Sequence, residues 1–227
     1  DMRKALNALE LLISAASYGD IPVITGDMAK QVAQRSSNRF DNGGDVHYNL
    51  LSALQKSIRG SDENAALHYL ARLLDADGML PAIRRLLIIA CEDIGLAYPQ
   101  AIPIVKACCD IALQTGLPEA RIPLADGVIL LATAPKSNSG ELAINAAFDR
   151  VQTGGYGDVP DYLKDKANPA QKSLAPEERY KYPHDYPNHW VEQRYLPVEI
   201  QGDIYYKYGE NKIEQAAKAY WDRIKKV

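Results

Sequence analysis

Lys56, Arg59, Arg72, Arg84 and Arg85 are the one notable concentration of basic side chains in this sequence. Lys56 and Arg59 stand three apart, hence on one face of any helix that carries them. A face of that kind either contacts phosphates or pairs with the acids around it, here Asp62, Glu63, Asp75 and Glu92. Lys56, Arg59, Arg84 and Arg85 are the candidate DNA or phosphate contacts. Against a dedicated nucleic-acid binder stands the overall balance: 26 Lys+Arg and 29 Asp+Glu give a net charge of −3, with no cationic excess.

Other chemistry is sparse. Lys56-Ser57 lacks the glycines of a G-x-x-x-x-G-K-[ST] phosphate loop, and no G-x-G-x-x-G, G-x-S-x-G or H-E-x-x-H occurs. Glu92 and Asp93 are adjacent acids beside Cys91, but neighbours on a helix point roughly 100° apart. Ion pairing or capping therefore suits them better than a catalytic carboxylate pair. Arg85 and Glu92, seven apart, share a face and are candidates for a network between helices. His184 and His189 flank Asp185 at a spacing that matches no standard metal site, so they read as structural or surface histidines. Cys91, Cys108 and Cys109 form no C-x-x-C pair and read as reduced, mostly buried thiols of a cytosolic protein. No catalytic residue and no metal ligand is assigned, and an independent hydrolase is not assembled by these motifs.

These residues must be held by helices. Met2, Ala5, Leu6, Leu9, Leu12, Ile13 and Ala16 recur at helical spacing from the first residues, which predicts a fragment boundary at Asp1. Thr25 is placed to cap a shorter helix carrying Met28, and residues 35–45 form a turn-rich linker. Asp45 opens a helix with Leu50, Leu51, Leu54 and Ile58 inside; Gly60 stops it with positive φ, and Ser61 caps the next, giving an αα-hairpin. Further helices are predicted from Pro81 to Gly95, Pro99 to Gly116, Pro123 to about Pro135, and from Ser137-Asn138-Ser139 to Gly154.

Composition then changes. Residues 156–227 hold ten of the fourteen tyrosines, and Pro160, Pro169, Pro176, Pro183, Pro187 and Pro197 interrupt any long helix. The expectation is an arm laid over the bundle, with a short strand pair at 195–200 and 204–208. Tyr205, Tyr206 and Tyr208 read as anchors or interface residues before base-stacking ones. A last amphipathic helix places Ile213, Ala216, Ala217, Tyr220, Trp221 and Ile224 on one face. The fold class is all-α: an orthogonal helical bundle with an irregular Tyr/Pro-rich arm and a final helix. No apolar run approaches the ~20 residues of a membrane span.

The stretches HYNLLSALQKSIRGSDENAALHYLARLL, IRRLLIIACEDIGLAYPQA, LLATAPKSNSGELAI and YKYPHDYPNHWVEQRYLP, taken in order, resemble the C-terminal half of the replication-associated recombination (RarA/MgsA) family of clamp-loader-type AAA+ ATPases. Cys91 departs from the serine more usual there. The resemblance implies a collar-like arrangement: residues 1–40 as the end of the AAA+ helical lid, 41–155 as an oligomerisation domain, and 156–227 as the arm and closing helix. It implies Arg3 as a sensor-2-like arginine that reads the nucleotide's phosphate, with its ATPase core absent from this chain.

For the full-length parent the resemblance implies a DNA-dependent ATPase using ATP and Mg, acting in replication-fork maintenance, recombination and repair. The implied partners are the chain itself as a homotetramer, single-stranded or forked DNA, single-stranded-DNA-binding protein and replisome components. The implied location is the bacterial cytoplasm, at the nucleoid, and not the membrane. This stretch alone is expected to be no enzyme and to hold no cofactor. Two roles are therefore carried forward: a tetramerisation region, and a DNA-binding module that positions the ATPase.

Overall fold

The computed structural model describes residues 6, 9–10, 12–13, 24–29 and 45–225. Among them every regular element is a helix or helical turn, and no strand occurs. Arg3 lies outside the described residues. Met28 donates its N–H to Thr25 Oγ1 at 3.2 Å, the expected cap. None of the described helices is long and apolar enough to cross a membrane. The chain divides into two compact units, Asp1–Leu86 with Cys108–Ala132, and Leu87–Ala107 with Thr133–Val227.

In the first unit, α1 (Asp45–Arg59) and α2 (Glu63–Asp75) pack as the predicted hairpin. Leu50, Leu51, Leu54 and Ile58 are buried from α1, and Ala66, Leu70, Leu73 and Leu74 from α2. Each fully buried Leu or Ile contributes ~1.5–3 kcal/mol, so this interlock outweighs any capping term. The turn differs from expectation by one residue. Ser61, not Gly60, takes the left-handed conformation (φ 58°), and Asp62, not Ser61, is the N-cap, accepting the Ala65 N–H at 2.8 Å. Ser61 N–H donates to Ile58 O at 3.0 Å and Asp62 N–H to Ser57 O at 2.9 Å, the paired closure that satisfies the last carbonyls of α1.

The same closure ends α2. Asp77 is left-handed (φ 56°) and Gly78 N–H donates to Leu73 O at 2.7 Å. Here glycine is required by space: a Cβ at Gly78 would lie 2.8 Å from Leu73 O and 2.9 Å from His47 Cε1. Helix α3 (Met79–Ile89) follows with Pro81 in its first turn, where the ring displaces no helical hydrogen bond. The second half of α4 (Ala101–Thr115) and most of α5 (Arg121–Thr133) complete this unit, with Cys109, Ala112, Leu124, Val128 and Leu131 buried.

The second unit opens with the end of α3 and a π-helical turn, Ala90–Ile94. It closes when Gly95 N–H donates to Ala90 O, and Gly95 takes φ 44° with a virtual Cβ 3.1 Å from Ser137 O. This wider turn buries Asp93 and Ile94 but leaves Cys91 exposed, which corrects the expectation of a buried thiol there; Cys108 is half-buried and Cys109 buried. A 3-10 turn, Gly95–Ala97, is packed by α6 (Ser139–Thr153) and by the last helix, α8 (Lys212–Lys225). Gly154 ends α6 with φ 76°.

Between α6 and α8 the prolines do more than interrupt. Pro169 starts the single turn α7 (Pro169–Lys172), and Pro176, Pro183 and Pro187 each start a 3-10 turn. A fixed φ makes proline a helix starter as much as a helix breaker. The expected strand pair is absent: Val198–Ile200 is a 3-10 turn, and residues 203–208 form no ladder. Pro197 lacks a donor, and Tyr205 and Tyr206 direct their hydroxyls to carboxylates instead. Helix α8 also departs from expectation. Glu214 and Ile224 are its buried residues, whereas Ile213, Ala216, Ala217 and Tyr220 are exposed.

Candidate functional site

Three sequence stretches converge in the second unit on one carboxylate. Glu214, 2% exposed, accepts at Oε1 from Ser139 Oγ (2.5 Å), Tyr206 Oη (2.8 Å) and the Gly209 N–H (3.0 Å). Its Oε2 accepts from Ser137 Oγ (2.6 Å) and from Asn211 Nδ2. Burial alone would raise this carboxyl's pKa, but the donors from Ser137, Ser139, Gly209 and Asn211 outweigh it and hold it at about 2. Tyr206 is pushed up to about 12, by burial first and then by its bond to Glu214. A carboxylate with its lone pairs filled neither gives nor takes a proton near neutrality. The group is a strut that pins α8 and the 206–209 segment to the start of α6.

Beside it, Ser137 N–H donates to Asp93 O at 2.8 Å, tying the π turn to the same loop. Lys136 Nζ donates to Ala134 O at 2.6 Å. Burial lowers the Lys136 pKa, and the Asp93 charge partly restores it. Asp93 is thus buried beside this loop, its backbone carbonyl bonded to Ser137 and its charge near Lys136. Sequence reading missed Glu214. Its signal was weak: one acid in the first turn of α8, outside the apolar stripe of that helix, with its serine donors 75 and 77 positions away.

The basic candidates lie in the first unit. Lys56 and Arg59 occupy the last turn of α1, exposed, where the helix dipole favours cations. Arg84 is exposed on α3, while Arg85 is half-buried and donates from Nη1 to Gln55 Oε1 at 3.0 Å. That bond sets α3 against the stretch of α1 just before Lys56, so Lys56, Arg59 and Arg84 are carried by adjoining helices. Arg85 thus packs into this face through Gln55, whereas Arg84 stands open beside it.

His184 stands between two rings, 5.0 Å from Tyr182 and 5.0 Å from His189. Among the described residues no cluster of three His, Cys, Asp or Glu side chains could hold a metal ion. Tyr205 donates to Asp203 Oδ2 at 3.2 Å, and Tyr206 and Tyr208 meet edge to face at 4.8 Å, so these tyrosines anchor the arm. Arg150 Nε pairs with Asp203 Oδ2 at 3.0 Å, a further tie between α6 and the arm.

Residues 60–225 match the family described as MgsA AAA+ ATPase C terminal, and residues 1–59 match the AAA C-terminal domain. The replication-associated recombination protein A of Bacillus subtilis is 50% identical over 230 residues, covering 100% of this chain and 54% of that protein. The proteins of the same name from Haemophilus influenzae and Escherichia coli K12 are 38% and 37% identical, each over 91% of this chain and 47% of their own length. The chain therefore spans about half the length of the curated relatives it matches.

Proposed function

The chain belongs to the MgsA family of AAA+ ATPases, as that family's C-terminal region, and from that premise we propose that it serves to assemble copies of itself into a homotetramer. The supporting observation is an apolar stripe on α6 that nothing described in its own unit covers. Ile144, Phe148 and Val151 follow one another at i, i+4 and i+7 and are 53%, 59% and 54% exposed. Ile213 and Tyr220 of α8 are exposed in the same unit. Contiguous apolar faces of this kind mark interaction surfaces, and identical subunits closing on themselves are the usual way to bury them.

In this reading ATP and Mg bind elsewhere in the parent protein, and Arg3 reports on the nucleotide. The assembled bundles make the motor domains move together on DNA during replication-associated recombination, with single-stranded-DNA-binding protein and replisome components nearby in the bacterial cytoplasm. This chain performs no hydrolysis by itself. Light scattering tests the assembly: a mass near four times 25.1 kDa is expected, and a strict monomer on the order of tens of micromolar rejects it.

A second reading, favoured by the exposure of Lys56, Arg59 and Arg84, makes the first unit a DNA-contacting face that positions the ATPase. The two roles are compatible, because a tetramer multiplies weak binding sites.

A further inference from the structure

We propose that an open groove in the Tyr/Pro-rich arm of the second unit binds single-stranded DNA, its tyrosines stacking on bases and its cations meeting the backbone phosphates. The groove has a volume of about 970 Å³ and brings together Tyr162, Tyr180, Tyr182 and Tyr195 with Lys166, Lys172 and Arg179. It is distinct from the basic face of α1 and α3.

Its walls are built rather than incidental. Gln193 grips the backbone of Lys181 from both sides: Nε2 donates to Lys181 O at 2.8 Å, and Oε1 accepts the Lys181 N–H at 3.2 Å. The same amide lies 2.7 Å from Tyr195 Oη, and Tyr162 Oη donates to Arg194 O. These ties hold residues 162, 181 and 193–195, three separate stretches of the arm, together. Tyr180, Tyr182 and Tyr195 nevertheless stay 40%, 53% and 50% exposed. Tyr195 is held at its hydroxyl, and Tyr180 and Tyr182 are held through the gripped backbone of Lys181 between them, so the rings are ordered in advance for stacking. From Tyr182 the series of rings continues through His184 and His189 at 5.0 Å steps.

Charge selects the ligand. Among the described residues that line the groove there is no carboxylate. Lys164, also at its edge, is already held by Asp158 at 2.9 Å and Asp161 at 2.7 Å. Lys166, Lys172 and Arg179 have no ion-pair partner among the described residues. An unmatched local positive charge in a chain of net −3 calls for an anion. Aromatic faces beside it call for one that carries flat rings. A single strand supplies both, whereas in a duplex the bases are stacked away from reach. Base-on-aromatic stacking contributes without regard to sequence, and phosphate contacts give the affinity its salt dependence. The choice of DNA over RNA rests on the DNA-acting reading above; the groove's chemistry does not depend on the assembly reading.

Fluorescence anisotropy of dye-labelled oligo(dT), titrated with the 227-residue chain over a range of salt, tests this. Lys172→Glu with Arg179→Glu should weaken binding about tenfold or more and flatten the salt slope by ~0.7 for each phosphate no longer neutralised. Tyr182→Ala should weaken it by roughly five- to a hundredfold with the slope unchanged, and Tyr182→Trp should retain it. Recording each variant's mass by light scattering separates loss of the groove from loss of assembly. Binding indifferent to these substitutions overturns the proposal. So does a preference for duplex DNA, for oligo(rU), or for an acidic peptide over oligo(dT).

Discussion

Ser139 Oγ donates to Glu214 Oε1 at 2.5 Å, joining the first residue of α6 to the first turn of α8 across 75 positions of sequence. Because Ser137, Tyr206, Gly209 and Asn211 donate to the same carboxylate, its removal strands several donors at once. Glu214→Ala should therefore cost ~3 kcal/mol or more, while Ser137→Ala alone costs ~1 kcal/mol. Urea midpoints of the two variants and the parent check the ranking; equal midpoints for Glu214→Ala and parent would remove the strut.

The same group makes stability depend on acid. Folded Glu214 titrates at about 2, below the ~4.3 of a free glutamate. Its contribution is present above pH ~4.3 and is lost as pH falls towards 2, on the order of 3 kcal/mol in all. Tyr206, held up at about 12 against ~10 when unfolded, contributes below pH ~10 and is lost as pH rises through 12. Thermal unfolding between pH 2 and 5 should be steeper in pH for the parent than for Glu214→Gln. Parallel curves for the two would show that Glu214 titrates normally.

Assembly has a direct substitution test. Ile144→Glu or Phe148→Glu, both on exposed positions of α6, should reduce the light-scattering mass towards 25.1 kDa without changing the helical circular dichroism. Each places a charge where apolar burial is required, costing several kcal/mol per interface. An unchanged mass would move the interface to another face.

Arg84 and Arg85 are neighbours with different expected roles. Arg85→Ala loses the bond to Gln55 and should cost ~1 kcal/mol of stability. Arg84→Glu should leave the urea midpoint within ~0.5 kcal/mol of the parent yet weaken forked-DNA binding at low salt. The opposite pattern would assign packing to Arg84 and phosphate binding to Arg85.

At Gly78 the prediction is steric. Gly78→Ala brings a methyl to 2.8 Å from Leu73 O and 2.9 Å from His47 Cε1, and should destabilise the α1–α2 hairpin by ~1–3 kcal/mol. Chemical denaturation measures it, and a neutral result would mean that the turn shifts at little cost.

What could be read before the structure was whatever repeats locally. Leu54, Ile58, Leu70 and Leu73 announce their burial by spacing, and Gly116 and Gly154 end their helices with φ 71° and 76°. What escaped depends on partners distant in sequence or on backbone detail. Ser61 takes the left-handed position beside a glycine because the closure pattern, not residue preference, selects it. The apolar face of α8 promised burial, yet the helix is rotated so that Glu214 goes inward to its serines. Pro183 and Pro187 look like interruptions in a string of letters and prove to be starting points of turns. The arm groove was illegible because Tyr162, Lys172, Tyr180 and Tyr195 meet only after the arm doubles back, held by Gln193.

The π turn at Ala90–Ile94 carries one more residue than the α-helical path would need between the same endpoints. Deleting Cys91, whose side chain is exposed, would therefore let that coil relax to ordinary pitch while its two ends stay where they are. Gly95 would keep its place against the Ser137 carbonyl, and the loop that feeds Glu214 would keep its abutment. A chain one residue shorter at this spot is thus a milder change than the same deletion inside α6, where everything beyond the cut would rotate by about 100°.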